Sequence, residues 1–304
     1  MAAARRRKAA IERLREFVVA PQPDDPALSR AVAGHDEAGR ATIVTVPVER
    51  PLTLFLNDQE IVTMMTIGDH PDYLAVGYLL NQGMLLPDDR ITRIDHDPEI
   101  DTVVVRTKRR TDYEAKLRKK TLTSGCAQGT AFGDLMETFE RVGLPKDTLL
   151  RTSWLYALLK KINQRPSLYL SAGAIHGCVL CQRDRPLLYL EDVGRHNAVD
   201  KIRGYMHLHG VTGNDKIFYT TGRLTSEMVI KCVSMGIPIL VSRSGFTAWG
   251  VDLARQAGLT LLGRARGRRF VVLSGEERVV RDADPRGAAA EPKRLRRKAS
   301  QGED

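Results

Sequence analysis

Short runs of alternating or clustered β-branched residues occupy 41–48, 52–56 and 60–66, with Asn57 and Asp58 between the last two. Side chains on a strand alternate faces with period two, and Asn-Asp suits a tight reversal, so these runs predict a strand meander. A helix is expected over 71–82, where Asp69 is the candidate cap, Leu74, Tyr78 and Leu79 share a face, and Gly83 supplies the stop. Strands at 90–95 and 102–107 follow. After residue 130 the rhythm changes to helices near 130–142 and 152–164, then strands at 167–171, 178–182 and 187–190. Helix 195–208, strand 216–220, helix 224–235, strand 238–241, helix 247–257 and strand 259–263 then alternate. Such alternation predicts a layered α/β domain with a largely parallel sheet portion. The first part is read as a smaller α+β domain over 41–128, and the second as an α/β domain over 129–274. No internal repeat is visible.

The flanks differ in composition. Residues 1–18 hold six basic and two acidic side chains, Pro21, Pro23 and Pro26 follow, and residues 1–40 are expected to be a mobile basic tail. The end, 275–304, lacks apolar periodicity and carries a basic run at 293–298, so a disordered tail is expected there too.

Across 304 residues, 42% hydrophobic and 28% charged content supplies a sizeable core and excludes a disordered or fibrous chain. No run approaches the ~20 apolar residues of a spanning helix, so membrane insertion is not expected. Arg5, Arg6, Arg7 and Lys8 are followed by polar residues where an export signal would be apolar, which predicts a cytoplasmic protein. The net charge of +10 points to polyanionic partners. Nucleic acid is disfavoured among them, because no recognition motif is present and only 6% of residues are aromatic.

Four cysteines in such a chain argue against a disulfide framework and leave catalysis, metal binding or packing. Cys126 lies in Thr-Ser-Gly-Cys-Ala-Gln-Gly, after a stretch with eight basic and two acidic residues between Arg106 and Lys120. Nearby cations favour the thiolate and flanking glycines let the loop move, although an ordinary loop cysteine has the same surroundings. His176, Cys178 and Cys181 invite a zinc reading. On a strand, however, Cys178 and Cys181 face opposite ways, and a zinc deaminase would need a glutamate where Cys178 stands, so no metal is expected. Cys232, mid-helix among apolar residues, is read as core.

Three further clusters follow strands. Arg195, His196 and Asn197 sit at a strand-to-helix junction, where a helix N-terminus favours anions. The bland alternative is capping by Asp192. Thr221, Gly222 and Arg223, then Ser242 and Ser244, follow successive strands and suit a nucleotide or phosphate-rich cofactor, although Thr225 and Ser226 could simply cap a helix beside Glu227. Arg264, Ala265, Arg266, Gly267, Arg268 and Arg269 bring four guanidiniums into six residues, able to fork onto pyrophosphate oxygens, or simply to form a solvated loop.

The stretches EDVGRHNAVDKIRGY (191–205), TGRLTSEMVIKCVSMGIPIL (221–240) and LTLLGRARGRRF (259–270), with VPVERPLTLFLN (46–57) and MTIGDHPDYLAVGYLLNQG (65–83), resemble the FdhD-type formate dehydrogenase accessory sulfurtransferases. The resemblance covers 42–273 and implies a cytidine-deaminase-like C-terminal α/β domain that does no deamination. It implies that a cysteine desulfurase hands over sulfur as a persulfide on Cys126. The sulfur then passes to the molybdenum of the bis-molybdopterin guanine dinucleotide cofactor before its insertion into formate dehydrogenase. Cys126 matches the first cysteine of a family loop similar to TSSCGxCG, and Gly129 stands at the second. The segment Arg264 to Arg269 matches the family's cofactor-binding segment, with Arg264 where an aromatic residue is usual. Arg195, His196, Asn197, Thr221, Gly222, Arg223, Ser242 and Ser244 are the further cofactor-binding candidates, GDP is a mimic of the cofactor's ends, and a homodimer is expected. Two other functions remain open: a non-catalytic carrier of the mature cofactor, and a general nucleotide-binding regulator that would bind GTP or GDP with no preference for the molybdenum cofactor.

Overall fold

The computed structural model describes residues 17–109, 136 and 139–286. A first sheet holds β3 (Arg50–Leu56), β4 (Gln59–Thr66), β5 (Ile91–Asp97) and β6 (Thr102–Thr107) in the order β4-β3-β6-β5. Its apolar face, Leu52, Leu54, Met64, Val103 and Val105, packs on α1 (Pro71–Asn81). That helix is buried through every residue from Leu74 to Asn81, so no face of it meets solvent. His70 rather than Asp69 occupies its N-cap, at φ 48° and without a capping side-chain bond, because the Asp69 carboxylate is drawn to Lys201. Gly83 turns left-handed just past its end, at φ 65°.

The second sheet has six strands in the order β13-β12-β11-β10-β8-β9: β8 (His176–Gln182), β9 (Arg185–Asp192), β10 (Ile217–Thr220), β11 (Ile239–Ser242), β12 (Thr260–Arg266) and β13 (Arg269–Ser274). Its parallel part is β10-β11-β12, and β8, β9 and β13 run antiparallel to their neighbours, so the sheet is mixed. Helices α4 (Arg195–Leu208), α5 (Ser226–Ser234) and α6 (Ala248–Gln256) cover one face, over Cys178, Leu180, Phe218, Leu240 and Leu261. Helix α2 (Thr152–Gln164) covers the other, over Val179, Cys181, Tyr219, Val241 and Leu262. Residues 167–171, expected as a strand, form instead a short helix α3 (Leu168–Ser171), because the Glu191 carboxylate accepts from the Leu168 and Tyr169 amides. The Ser167 hydroxyl accepts from the Leu170 amide.

Part of each expected tail takes part in the fold. Residues 17–19 bond β9 through their backbone, and β1 (Ser29–His35) pairs with β2 (Ala41–Pro47) while Leu28 is buried. At the other end, β14 (Val279–Val280) pairs with β7 (Leu150–Arg151). Arg278, 4% exposed, holds it down by donating to Gly258 O, Pro145 O and Thr260 Oγ1.

The two sheets are joined by α1 packed on α4. A Cβ on Gly77 would lie 1.7 Å from Asp200 O, and one on Gly204 1.9 Å from Tyr73 O, so the backbones touch. Between them Asp200 accepts from Lys231 at 2.7 and 2.9 Å and from Asn81 at 2.7 Å. No described helix is long and apolar enough to cross a membrane.

Candidate functional site

Strand direction brings three of the predicted clusters to one edge. Because β10, β11 and β12 are parallel, Thr220 and Ser242 end side by side, with Gly263 next after Leu262, the partner of Val241. The antiparallel β8 and β9 bring His176 and Asp192 to the same edge, where the two pair in register. The edge thus gathers His176, residues 192–197, 220–227 and 242–247, and Arg264, with the N-termini of α4, α5 and α6 opening onto it. Such strand-end crevices are where open α/β sheets bind ligands.

The hydroxyls expected to touch ligand mostly hold the crevice together. Thr221 Oγ1 accepts from Gly177 N at 3.0 Å, and Ser242 Oγ donates to Gly222 O at 2.5 Å and accepts from Ser244 N at 2.9 Å. Asn197 is likewise committed, donating to Met65 O at 2.8 Å and to Asp192 Oδ1 at 3.1 Å. The anticipated capping by Asp192 is realised only as an acceptor for Gly194 N at 3.1 Å. Gly222 gives Arg195 room: a Cβ there would lie 3.2 Å from Arg195 Cβ.

What remains is a set of buried polar atoms that no described hydrogen bond satisfies. His176 Nδ1, Arg195 Nε, both ring nitrogens of His196 and Thr225 Oγ1 are buried without a hydrogen-bond partner. His196 Nε2 lies 2.9 Å from Glu227 Oε2 but out of hydrogen-bond alignment. Burial, with Arg195, His196 and Arg223 nearby, holds the His176 imidazole below its ordinary pKa and so neutral at pH 7. Buried polar atoms are satisfied in nearly every protein, and a cluster of exceptions on one edge fits a ligand that completes them.

The arginine segment is not a loop after the strand. Strand β12 continues through it to Arg266, and Gly267 and Arg268 form the turn into β13. The reason is Ala265, 1% exposed in the core beneath α2, which a register irregularity between Gly263 and Arg266 rotates inward. Arg264, at φ 53°, stacks over Phe246 on the strand-end side, and Arg266 Nε donates to Arg243 O. Arg264, Arg266, Arg268, Arg269 and Arg281 line an open groove of about 630 Å³ with Tyr156 and Phe270, and among the described residues no carboxylate lines it. Arg268 lies over the Tyr156 ring at 5.3 Å. The predicted residues therefore form two neighbouring cationic surfaces, the crevice and this groove.

Cys178 and Cys181 do face opposite sides of the sheet, one under α4 and α5 and the other under α2, so they cannot share a metal without rebuilding the strand. Both are fully buried, and burial pushes the Cys178 thiol up to about 12 and the Cys181 thiol higher still. They are poor thiolates and poor sulfur acceptors. Cys232 is core, as expected. Cys126, the predicted sulfur-bearing residue, lies outside the described residues.

Sequence reasoning missed the junction beneath the crevice. Lys201, fully buried, places Nζ 2.6 Å from Asp192 Oδ2 and 2.9 Å from Glu191 O, and pairs with Asp69. Burial opposes the charge, but Asp192 and Asp69 outweigh it and hold the ammonium above its ordinary pKa. Thr66 Oγ1 donates to Asp192 Oδ2 at 2.5 Å. The only sequence signal was a lysine inside an apolar helical stretch.

Glu191 yields a pH prediction. Its burial, only partly offset by the amides of Tyr169 and Leu168, raises the carboxyl to about 7 from an ordinary 4.5. With the folded value above the unfolded one, the native state binds the extra proton between these pH values, so this group's contribution falls as pH rises. The loss is complete above pH 7 and amounts to about 3 kcal/mol. Urea unfolding of Glu191→Gln against wild type from pH 4.5 to 8 should show that slope removed in the variant. Parallel profiles would assign it to another group.

The FdhD/NarQ family model matches residues 47–280. The chain is 30% identical to a sulfur carrier protein FdhD of Listeria innocua over 239 residues, 78% of this chain and 92% of that one. It is 29% identical to the protein of the same name from Bacillus pumilus, over 76% of this chain and 89% of that one. A solved structure described as a putative formate dehydrogenase accessory protein from Desulfotalea psychrophila superposes with a TM-score of 0.67 at 29% identity, covering 83% of this chain and all of that one. A family model that spans the first sheet, the joining helices and the strand-end crevice identifies this chain as a member of the FdhD/NarQ family.

Proposed function

We propose that the chain is a cytoplasmic sulfurtransferase in which Cys126 takes a persulfide sulfur from a cysteine desulfurase. It delivers this sulfur to the bis-molybdopterin guanine dinucleotide molybdenum cofactor destined for formate dehydrogenase. The relatives' names, sulfur carrier and formate dehydrogenase accessory protein, support the general role. The cofactor is substrate and cargo here. The observation that carries its binding is the set of unpartnered buried atoms on His176, Arg195 and His196, beside exposed Arg223 and Arg264. Unmet buried donors cost free energy, and phosphate oxygens and base edges would satisfy them. The arginine groove suits the pyrophosphates, since forked guanidiniums match their geometry. The surrounding layers are read as a cytidine-deaminase-like scaffold without deaminase chemistry.

In the loading step the Cys126 thiolate attacks the outer sulfur of the donor's persulfide. A new S–S bond forms on Cys126 as the donor's S–S bond breaks, and the donor cysteine leaves as thiolate. One thiol suffices for that exchange. A second reading, a non-catalytic carrier of the molybdenum cofactor or of a guanine nucleotide, is favoured by one feature: Gly129 stands where a second loop cysteine would be.

The test is intact and peptide mass spectrometry after incubation with an active cysteine desulfurase and cysteine. One added sulfur is expected on the Cys126 peptide, removed by reductant and absent in Cys126→Ala. An active desulfurase that loads nothing onto Cys126 would leave the carrier reading in its place.

A further inference from the structure

The seven residues of β1 and the seven of β2 form a ribbon that belongs to neither large sheet. No residue in either strand is buried, and Val32, Ile43 and Val44 are 36%, 75% and 48% exposed. Among the described residues neither long edge of the ribbon pairs with a further strand. A two-stranded ribbon alone in water is marginal, and an open edge recruits another strand unless charge, proline or a bulge blunts it. The two edges differ in this respect. β1 carries Arg30, Gly34 and His35. β2 reads Ala41-Thr42-Ile43-Val44-Thr45-Val46-Pro47, with no charge, five β-branched residues in a row, an unbroken register against β1 and its proline at the last position. Nothing on that edge turns a partner away.

We infer that the β2 edge pairs with β2 of a second copy of this chain, antiparallel about a two-fold axis at Val44, so that two ribbons make one four-stranded sheet. A two-fold contact uses one surface twice, so that surface must complement itself. This edge does. Val44 faces its own copy, Ile43 faces Thr45 and Thr42 faces Val46, and each of these pairs joins two β-branched side chains, which suit neighbouring positions on a pleated surface. The same register sets Ala41 against Pro47 and brings Arg40 of one copy beside Glu49 of the other, both exposed and opposite in charge. At its base the ribbon runs through Val48 and Glu49 into β3, whose Pro51 pairs with Met65, and the Met65 carbonyl accepts from Asn197 in the crevice wall. The joined ribbons therefore tie two crevices into one particle.

Sedimentation equilibrium of the full chain over a concentration series reads the mass directly. Wild type should weigh as two chains. Val44→Lys and Val44→Asp should each weigh as one, because like charges then meet at the axis, and an equal mixture of the two should weigh as two chains again. Val32→Lys, on an outer strand of the four, should stay dimeric. No core residue is touched in any of these, and circular dichroism checks that each variant folds. A Val44→Lys protein that still weighs as two chains overturns the inference in favour of another interface. A mixture that stays monomeric overturns the axis at Val44. A monomeric wild type overturns the pairing altogether and leaves the edge to another segment of this chain or to a strand of another protein.

Discussion

Lys201→Met is expected to lower the unfolding free energy by about 3–5 kcal/mol, the cost of stranding a buried charge. The ammonium sits at the meeting point of the two sheets, with Asp69 from the β4–α1 connection on one side and Asp192 at the end of β9 on the other. Asp192 has no exposure. Without Lys201 its carboxylate keeps only neutral donors: Thr66 Oγ1, Asn197 Nδ2 and Gly194 N. Hydrogen bonds of that kind offset part of the desolvation of a carboxylate but not all of it. Lys201→Met/Asp192→Asn should therefore recover at least half of the loss, since the residual charge goes with the second change.

The pH dependence of the single variant follows in sign. A carboxylate buried without a counter-ion is relieved when it takes up a proton, so the variant's deficit shrinks at acid pH. In wild type the raised pKa of Lys201 means that its contribution is present at neutral pH and is lost only when pH rises through the folded value. Urea unfolding of the three proteins at pH 5 and pH 7.5 reads the first effect, since the Lys201 contribution does not change over that range. A Lys201→Met protein within about 1 kcal/mol of wild type at pH 7.5 would mean that the junction does not depend on this ion cluster.

That cluster also marks where the sequence stopped being legible. Helices α2 and α4 were predicted at the bounds the structure gives: the apolar spacing of α2 follows one buried face, and Gly194 precedes α4, which is buried without a break from His196 to Ile202. The alternation of β10, α5, β11, α6 and β12 was equally visible, and it gathers the strand-end candidates without any contact being known. No partner for Lys201, Lys231 or Asp200 was legible in the sequence, since nothing in one segment announces that another will bury it. Burial of these charges is a property of the α1–α4 contact, which joins residues more than a hundred positions apart. Residues 167–171 failed for a related reason: Leu168, Tyr169 and Leu170 suit a strand, and the helical turn is fixed by the distant Glu191. The arginine hairpin was read as loop because its apolar signal is one alanine, Ala265.

Gly77→Ala is expected to cost about 3 kcal/mol or more, an overpacking penalty at the upper end of its range. The added methyl would sit 1.7 Å from Asp200 O, 2.5 Å from Asp200 C and 2.8 Å from Gly204 N, all backbone atoms of α4 that no rotamer change can move. Relief requires the two helices to separate. Separation would stretch the 2.7 Å bonds that Asp200 receives from Asn81 and Lys231, and Lys201, next in the chain, would be drawn from Asp69. The penalty is thus steric at its source and electrostatic in its spread. Gly204→Ala, with its methyl 1.9 Å from Tyr73 O, should match it from the opposite helix. Because either change alone already parts the helices, the double variant should cost less than the sum of the two. Gly34→Ala, where a Cβ meets nothing within 4 Å, is the control and should stay within about 0.5 kcal/mol of wild type. Urea unfolding gives the free energies, and amide exchange along α1 and α4 reports where the native state loosens. Wild-type stability in Gly77→Ala would contradict so close an approach of the two helices, and full additivity in the double variant would contradict a shared contact.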